Sequence, residues 1–298
     1  MKYIKFIDKF PSLEGKLYIV TGANSGLGFD TSLYLAYKGA SVILACRNLE
    51  RAEKAKNRIL NEVPNAKLFI EQYDQADFNS IEKFSNNIKD NYSHIDGIIC
   101  NAGVYFPKQD YKTKDGYELT FGTNYLGTFK LLYELKYKLN DDHSRVVIVT
   151  SLTATLSNKS KDIDNFSSLN RNQVYGYSKY CLSRLFYELS TEFNNITYNL
   201  VHPGIASTNI ISSTQTGLPH WFQVLGHKFL TLFTHSSKKA SLILLEGLLT
   251  DKKSSYITPR GPFAISGYPK YKRVPKYVKK DIINKTKLLI GIENQIKN

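Results

Sequence analysis

The stretch that decides the fold is Lys16-Leu-Tyr-Ile-Val-Thr21 with Gly22-Ala-Asn-Ser-Gly26-Leu-Gly28 directly after it. Its first six residues are apolar enough for a buried strand, and three glycines follow. Apolar residues then recur at helical spacing through Leu33 and Leu35 until Gly39 ends the helix. This order of strand, glycine turn and helix is typical of a dinucleotide-binding unit, because the start of the helix offers unpaired N–H groups to a pyrophosphate.

Each glycine of this turn has an expected task. Gly22 permits the tight turn, Gly26 lets the backbone approach a pyrophosphate, and Gly28 allows the helix to pack closely. The predicted cofactor loop consists of Gly22, Asn24, Ser25, Gly26, Leu27 and Gly28.

The end of the second predicted strand, Ser41 to Cys46, bears on the choice of cofactor. An NAD enzyme usually places Asp or Glu there to bind the ribose 2′-hydroxyl, whereas a nearby Arg accommodates a 2′-phosphate. Cys46 holds the acidic position, and Arg47 and Asn48 follow it. We therefore predict NADP, with Arg47 and Asn48 as contacts. The alternative, that Arg47 only faces solvent, stays open.

The rest of the chain repeats strand and helix patterns. Predicted strands cover Lys67 to Tyr73, Asp96 to Cys100, Arg145 to Thr150, Thr197 to His202, and finally Tyr256 to Thr258. A chain of 298 residues with 42% hydrophobic content can bury one large core. We predict an α/β fold, a Rossmann-type doubly wound parallel sheet, in a single domain with a C-terminal substrate lid.

Polar and small residues follow several of these strands. Asp74 lies after the third strand, where it would either meet an adenine or cap the helix that starts near Phe78. Asn101, Ala102 and Gly103 follow the fourth strand, and their small size would let a cofactor lie against its end. Ser151 follows the fifth strand.

Tyr175 and Lys179 are four residues apart, so on a helix they share one face. A nearby cation favours the phenolate. We therefore expect Lys179 to lower the pKa of Tyr175 and make it a general acid and base. By itself this spacing is a weak signal in a chain with 21 tyrosines.

Several motifs in order make the chain resemble the short-chain dehydrogenase/reductase family from about Gly15 to Thr208. They are the loop Thr21 to Gly28, Asn101-Ala-Gly103, Asn124-Tyr-Leu-Gly127, Tyr175-x-x-x-Lys179, and Pro203-Gly204 with Thr208. The segments Leu44-Ala-Cys-Arg-Asn48, Ser178-Lys179 and Val201-His-Pro-Gly204 are similar to the retinol-dehydrogenase-like branch, which prefers NADP. The chain departs from the common pattern at Cys100, Gln75 and Thr150.

The resemblance implies a role for each matched residue. Ser151 would hydrogen-bond the substrate oxygen, Tyr175 would exchange a proton with it, and Lys179 would also hold the nicotinamide ribose. Asn124 would keep a water in a proton relay. Pro203, Gly204 and Thr208 would contact the nicotinamide side of the cofactor.

The implied activity is an NADP(H)-dependent alcohol dehydrogenase or carbonyl reductase for a moderately apolar substrate. A catalytically idle dinucleotide-binding sensor or scaffold is the alternative. No metal site is expected.

The predicted domain has three parts, the cofactor-binding part at 15–204, the substrate lid at 205–250 and a basic tail at 268–298. The apolar run from Gly217 to Phe233 fits a lid, but core and membrane-surface readings stay open. The lysine-rich tail is expected to be solvated, with no nucleic acid as partner.

Composition bears on location and assembly. The net charge of +14 leaves nucleic acid or an anionic membrane surface open as partners, although we favour a biased composition as its cause. Three widely spaced cysteines suggest a reducing cytoplasm, and no apolar run reads as a signal peptide or membrane span. We expect a cytoplasmic protein, with weak membrane contact left open. The stripe of Leu182, Leu185, Phe186 and Leu189 is read as core or as the interface of a homodimer.

Overall fold

A mostly parallel sheet of eight strands forms the centre of the computed structural model, which describes residues 2–105, 112–139, 144–157, 162–163, 169–192, 195–207, 235–274 and 281–292. The strands are β1 (Leu17–Thr21), β2 (Ser41–Cys46), β3 (Lys67–Gln72), β4 (Gly97–Cys100), β5 (Arg145–Val149), β6 (Thr197–Val201), β9 (Tyr256–Pro259) and β10 (Pro269–Lys272). Two short strands, β7 (Ala206–Ser207) and β8 (His235–Ser236), pair with each other outside this sheet.

The strand order is β3-β2-β1-β4-β5-β6-β9-β10. The chain builds outward from β1 to β3 and then returns to the other side of β1 with β4. All neighbours are parallel except β9 and β10. The predicted doubly wound fold is confirmed. Because the order reverses between β1 and β4, the carboxyl ends of these two strands border a crevice suited to a ligand.

Helices cover both faces of the sheet. They are α1 (Ile4–Ile7), α2 (Gly26–Tyr37), α3 (Leu49–Glu62), α4 (Phe78–Asn91), α5 (Leu119–Phe121), α6 (Thr128–Leu135), α7 (Arg171–Glu192), α8 (Ser237–Leu249) and α9 (Ile282–Leu289). A π-helical turn, Gly122–Gly127, joins α5 to α6. Short 3-10 turns cover Leu152–Leu156 and Pro262–Ala264.

Two apolar cores lie on the two faces of the sheet. Ile19 and Ile43 belong to the core with α4, α6 and α7, whereas their neighbours Val20 and Leu44 belong to the core with α2, α3 and α8. Successive side chains of a strand point to opposite faces, so both faces need apolar residues. This requirement explains the continuous apolar runs in the sequence.

Helix α8 corrects the predicted lid boundary. It packs against α2 and the sheet, and Leu242, Ile243, Leu244, Leu245 and Leu248 are buried there. Residues 237–249 are therefore core and not lid. The apolar run from Gly217 to Phe233 lies outside the described residues, so its lid remains a prediction.

The predicted basic tail is also corrected. Tyr256 to Thr258 is not the last strand, because β10 pairs antiparallel with β9 and the Tyr271 hydroxyl bonds Glu246 and, at 2.6 Å, the hydroxyl of Thr250. Helix α9 packs on α7 with Ile282 and Ile283 buried. These apolar residues anchor the segment despite its many lysines. Residues 275–280 and 293–298 lie outside the described part of the chain.

The apolar stripe of α7 is core. Leu182, Leu185 and Phe186 are at most 2% exposed and Leu189 is 9% exposed within a single chain. The core reading of this stripe is confirmed, and the homodimer stays a prediction. Across the helices that the structure describes, none combines the length and apolarity that a membrane crossing needs.

Candidate active site

The glycine loop packs tightly against the end of β4. Gly22 and Gly26 have φ angles of +68° and +55°, in the left-handed region that favours glycine. A β-carbon on Gly22 would lie 3.2 Å from Cα of Ala102, and one on Gly28 would lie 2.4 Å from the carbonyl oxygen of Gly22. Gly28 therefore serves the packing of α2 against the loop.

Thr21 ties the two central strand ends together. Its hydroxyl accepts from the N–H groups of Asn101 at 3.0 Å and Ala102 at 2.9 Å, and it donates to the carbonyl oxygen of Ile99. The Asn101 amide donates back to the Thr21 carbonyl oxygen at 2.9 Å. The two sides of the crevice are thus held at a fixed spacing.

This crevice is a cavity of about 260 Å³ at the switch point of the sheet. It is lined by eleven of the predicted cofactor residues, namely Gly22, Asn24, Ser25, Gly26, Leu27, Arg47, Asn48, Asp74, Asn101, Ala102 and Gly103. The lining also includes residues that sequence reasoning did not assign to the cofactor, Ala45, Cys46, Arg51, Tyr73, Gln75, Val104 and Thr123. Ser25 begins α2 without using its side chain as a cap, so within the described structure its hydroxyl and the first N–H groups of α2 are left for an anion.

Two arginines flank the end of β2. Arg47 lines the cavity and is exposed, and its contact with a 2′-phosphate stays a prediction. Arg51 also lines the cavity, from the first turn of α3, where Asn48 caps the helix by accepting from the Arg51 N–H at 2.8 Å. Burial raises the pKa of the Cys46 thiol to about 11, so this side chain is neutral where an NAD enzyme usually has a carboxylate. The capping pattern of Asn48 is the sequence signal that would have found Arg51.

Asp74 is not the cap of the next helix. Asp77 caps α4, accepting from the N–H groups of Asn79 and Ser80. The Asp74 carboxylate instead accepts from the N–H of Ala76 at 3.0 Å and faces the cavity. The helix starts three residues later than a cap at Asp74 would require, so the cofactor reading of Asp74 remains.

Ser151 and Tyr175 lie close to each other and are not part of the lining of this cavity. Ser151 follows β5, and its hydroxyl accepts from the N–H and hydroxyl of Thr153 at 3.3 and 3.0 Å. Ser151 also lies beside the Tyr175 phenol and acts to lower the pKa of that phenol. The ring of Tyr175 packs edge-on against Tyr105, with centroids 4.6 Å apart. Ser151, Tyr175 and Tyr105 thus form one cluster after β5.

Lys179 lies one helical turn further along α7 and is 6% exposed. Its ammonium donates to the Val149 carbonyl oxygen at 3.0 Å and lies 5.9 Å from the centroid of the Tyr175 ring. Burial lowers the pKa of Lys179 to about 8.

The expected pKa effect on Tyr175 is corrected. Burial raises the pKa of this phenol to about 12, and the hydrogen bond from Ser151 only partly offsets the rise. The prediction that Lys179 holds this pKa below its ordinary value is wrong for this arrangement. Removal from water disfavours both charged forms, so the phenol and the amine move toward neutrality.

Asn124 lies in the π-helical turn and connects the cavity to α7, the helix that carries Tyr175 and Lys179. Its side-chain oxygen accepts from the Val104 N–H at 2.8 Å, and its amide donates to the Val104 carbonyl oxygen at 2.9 Å and to Ser178 at 3.2 Å. Gly103 is close to Lys179, since a β-carbon there would lie 3.8 Å from the ammonium nitrogen. π-helical turns occur frequently at functional sites.

The remaining predicted contacts follow β6. Pro203 and Gly204 come directly after this strand, and Gly204 has a φ of +84°. They neighbour Ser151, because the Thr150 N–H donates to the Val201 carbonyl oxygen at 2.8 Å. Neither lines the 260 Å³ cavity. Thr208 lies outside the described residues.

Two departures from the common pattern stabilise this region. The Thr150 hydroxyl donates to the Lys179 carbonyl oxygen at 3.1 Å and pairs with Ser183 at 2.9 Å, which fixes α7 against β5. Cys100 is buried, and burial raises the pKa of its thiol to about 12. A neutral thiol beside Lys179 adds no charge to the site.

Comparisons with known proteins agree with this geometry. The family model described as short chain dehydrogenase matches residues 16–218. Human retinol dehydrogenase 13 is 34% identical over 228 residues, which is 72% of this chain and 69% of that protein. Mouse retinol dehydrogenase 14 is 36% identical over 217 residues, which is 66% of this chain and 63% of that protein. The chain thus spans less than two thirds of the length of this second relative.

Solved structures show the same fold. A protein from Mycobacterium paratuberculosis superposes with a TM-score of 0.69 at 24% identity, covering 96% of this chain and 93% of that one. Levodione reductase superposes with a TM-score of 0.65 at 20% identity, covering 79% and 91%. With the family match over most of the site and these retinol dehydrogenase relatives, the chain is an oxidoreductase of the short-chain dehydrogenase/reductase family, in its retinol-dehydrogenase-like branch.

Proposed function

We propose that this protein is an NADP(H)-dependent oxidoreductase that interconverts an alcohol and a carbonyl group on a moderately apolar small molecule. The observation that carries the proposal is the grouping of Ser151, Tyr175 and Lys179 beside the cleft. Ser151 acts on the pKa of the Tyr175 phenol, and the Lys179 ammonium, one helical turn along α7, lies 5.9 Å from the centroid of the Tyr175 ring. A protein that only binds a dinucleotide does not need a paired phenol and hydroxyl at this place.

The cleft suits a dinucleotide with an additional phosphate. The N–H groups at the start of α2 and the Ser25 hydroxyl would bind the pyrophosphate. Gly22 packs closely on Ala102 and has no side chain, so the backbone of the loop can contact the cofactor directly. Arg47 and Arg51 would bind a 2′-phosphate beside the neutral Cys46 thiol. Asp74 would lie at the adenine. When bound, the nicotinamide supplies or accepts the hydride.

The proton is transferred by residues of the chain itself. The Ser151 hydroxyl binds the reacting oxygen of the substrate and stabilises negative charge on it. Tyr175 donates its phenolic proton to that oxygen in reduction and takes a proton from it in oxidation. The pKa of Tyr175, raised to about 12, keeps the phenol protonated at neutral pH and ready to donate in reduction, whereas oxidation requires the phenolate and is favoured at higher pH. Lys179 lies close enough to Gly103 to reach a ribose at the end of the cleft, and Asn124 holds Val104 beside it and would keep the relay water.

The substrate class is inferred from the relatives and from the aromatic surroundings. Both mammalian relatives carry the name retinol dehydrogenase, which points to apolar alcohols and aldehydes. Tyr105 presents its ring against Tyr175 and adds an apolar wall beside the reacting groups. We propose a cytoplasmic location, which the three buried free cysteines support, with weak membrane contact and a homodimer as parts of the same proposal.

The deciding experiment follows NADPH and NADH absorbance with a panel of aldehydes and ketones, and the reverse reaction with the matching alcohols. We expect turnover of apolar members of the panel with NADPH and none with Tyr175→Phe. Tight NADPH binding by calorimetry with no turnover of any panel member would contradict the proposal and favour an idle dinucleotide-binding protein.

A further inference from the structure

The side chain of Gln75 is buried at the floor of the cleft, with 4% exposure, and every polar atom of it is used. Its amide nitrogen donates to the carbonyl oxygens of Ala102 at 3.0 Å and Thr123 at 2.7 Å, and contacts the Thr128 hydroxyl at 3.3 Å. Its side-chain oxygen accepts from the Tyr73 hydroxyl at 3.1 Å. Carbonyl oxygens can only accept, so this network fixes which end of the amide faces them.

These hydrogen bonds join two segments that carry the site. Ala102 belongs to the strand end that lines the cleft, whereas Thr123 and Asn124 belong to the π-helical turn. Thr128 extends the connection, because its hydroxyl donates to the Asn124 carbonyl oxygen at 2.9 Å. Gln75 therefore holds the backbone on both sides of the Asn124 side chain, which in turn binds Val104.

The backbone of Gln75 is held as closely as its side chain. A β-carbon on Gly127 would lie 2.2 Å from the Gln75 carbonyl oxygen, so only glycine lets the π-helical turn approach this far. The amide nitrogen of Gln75 can then reach two separate carbonyl oxygens. A leucine here would offer no donor to Ala102 or Thr123, and an asparagine would be one methylene too short.

We propose that Gln75 is a positioning residue, which clamps the strand end at Ala102 to the π-helical turn and so holds Asn124 and Val104 in register with Lys179. This inference rests on the proposed oxidoreductase function for its effect on turnover. The clamp itself exists in the protein without substrate, so it can be tested without turnover.

The test compares Gln75→Met, which keeps the length but has no N–H group, with Tyr73→Phe, which removes only the contact at the side-chain oxygen. Amide hydrogen exchange is measured in the ligand-free protein. We expect Gln75→Met to speed exchange about ten-fold or more in peptides covering 101–105 and 119–128, the scale of a lost buried hydrogen bond, and to leave peptides from α3 unchanged. Tyr73→Phe leaves the donor contacts of Gln75 to Ala102 and Thr123 in place and should have a clearly smaller effect in these peptides.

Kinetics provide a second readout. With NADPH, Gln75→Met should lower kcat about ten-fold while KM for the substrate changes little, because catalytic groups and not the substrate are misplaced. Thr128→Val, a change of similar shape, should show a smaller effect in the same peptides and the same kcat direction. If Gln75→Met fails to fold, Thr128→Val provides the test of the clamp instead.

Three outcomes would overturn the clamp. They are faster exchange spread evenly over the whole domain, an equal effect of Tyr73→Phe, or unchanged exchange at 101–105 and 119–128 in both Gln75→Met and Thr128→Val. A wild-type protein without turnover would refute the proposed function instead, and the exchange result would still decide the clamp.

Discussion

The ammonium of Lys179 donates to the carbonyl oxygen of Val149 at 3.0 Å, at the last residue of β5, in a position where the side chain is 6% exposed. One neutral carbonyl oxygen does not replace the water that a charged amine loses on burial. Burial therefore lowers the pKa of Lys179 to about 8. The buried ammonium of Lys179 therefore lowers the free energy of unfolding of the protein at neutral pH.

The first prediction concerns stability and pH. The folded-state pKa of Lys179 is about 8 and its ordinary value is 10.5, so the unfolded chain binds more protons between these pH values. The cost of burying the charge is absent above about pH 10.5, grows as the pH falls, and is complete below about pH 8. Its size is roughly 3 kcal/mol. We expect Lys179→Met to raise the melting temperature at pH 7 by several degrees and to abolish turnover.

The measurement is the melting temperature from pH 7 to pH 10 for the wild type, Lys179→Met and the exposed control Lys83→Met. The advantage of Lys179→Met should shrink toward pH 10, while the control follows the wild type. A variant less stable than the wild type at pH 7 would contradict the inferred cost.

The second prediction concerns proton transfer. Tyr175→Phe should reduce kcat by at least about a hundred-fold, since general acid catalysis contributes a factor of roughly 10² to 10⁴. NADPH affinity should change little because the ring and its contact with Tyr105 remain. Tyr187→Phe, on the same helix, is the matched control and should keep full activity. Retention of turnover within a factor of a few in Tyr175→Phe would place the chemistry elsewhere.

The third prediction concerns cofactor choice. Arg47→Ala and Arg51→Ala should each weaken NADPH about ten-fold and leave NADH within a factor of about two, because only NADPH carries the 2′-phosphate. Both arginines line the cleft. Lys54 lies on α3 with Arg51 and pairs with Glu50, so Lys54→Ala controls for the loss of a positive surface charge. Calorimetric titrations that find equal affinities of the wild type for both cofactors would refute the assignment.

The fourth prediction concerns the docking of α9. Both carboxylate oxygens of Glu188 accept from the first N–H groups of this helix, at 2.8 Å from Ile282 and 3.0 Å from Ile283. Glu188→Gln leaves one N–H facing an amide donor, which costs about 1 to 3 kcal/mol. The melting temperature should fall by several degrees with kcat unchanged at 25 °C. Glu192→Gln, one turn further along and exposed, should melt like the wild type; equal losses in both variants would argue against the cap.

The sequence predicts the fold well where local pattern and global position agree. The strands from β1 to β6 and the glycine loop carry apolar periodicity and turn residues that any doubly wound sheet requires. Strand β10 escapes prediction because Pro269, Lys270 and Lys272 have low strand propensity, and pairing with β9 overrides it.

The site is predicted in part. Motif residues such as Gly26 and Asn101 reach the cleft as expected, because they sit at the carboxyl ends of strands. Gln75 escapes prediction since its partners are backbone carbonyls 27 and 48 residues away, which leave no trace in its own neighbourhood. The pKa directions of Tyr175 and Lys179 depend on how deeply both are buried, a property that their spacing does not encode.

Strand β10 also bears on how the folded protein behaves at high concentration. It hydrogen-bonds to β9 on one side only, and among the described residues nothing pairs with its other side. An open sheet edge of this kind invites strand-to-strand aggregation between copies. Pro269 lacks an N–H to offer there, and the exposed ammonium groups of Lys270 and Lys272 repel a second copy. The basic segment that reads in sequence as a tail thus disfavours strand pairing between copies at this edge of the sheet and leaves the other surfaces of the protein free for a homodimer.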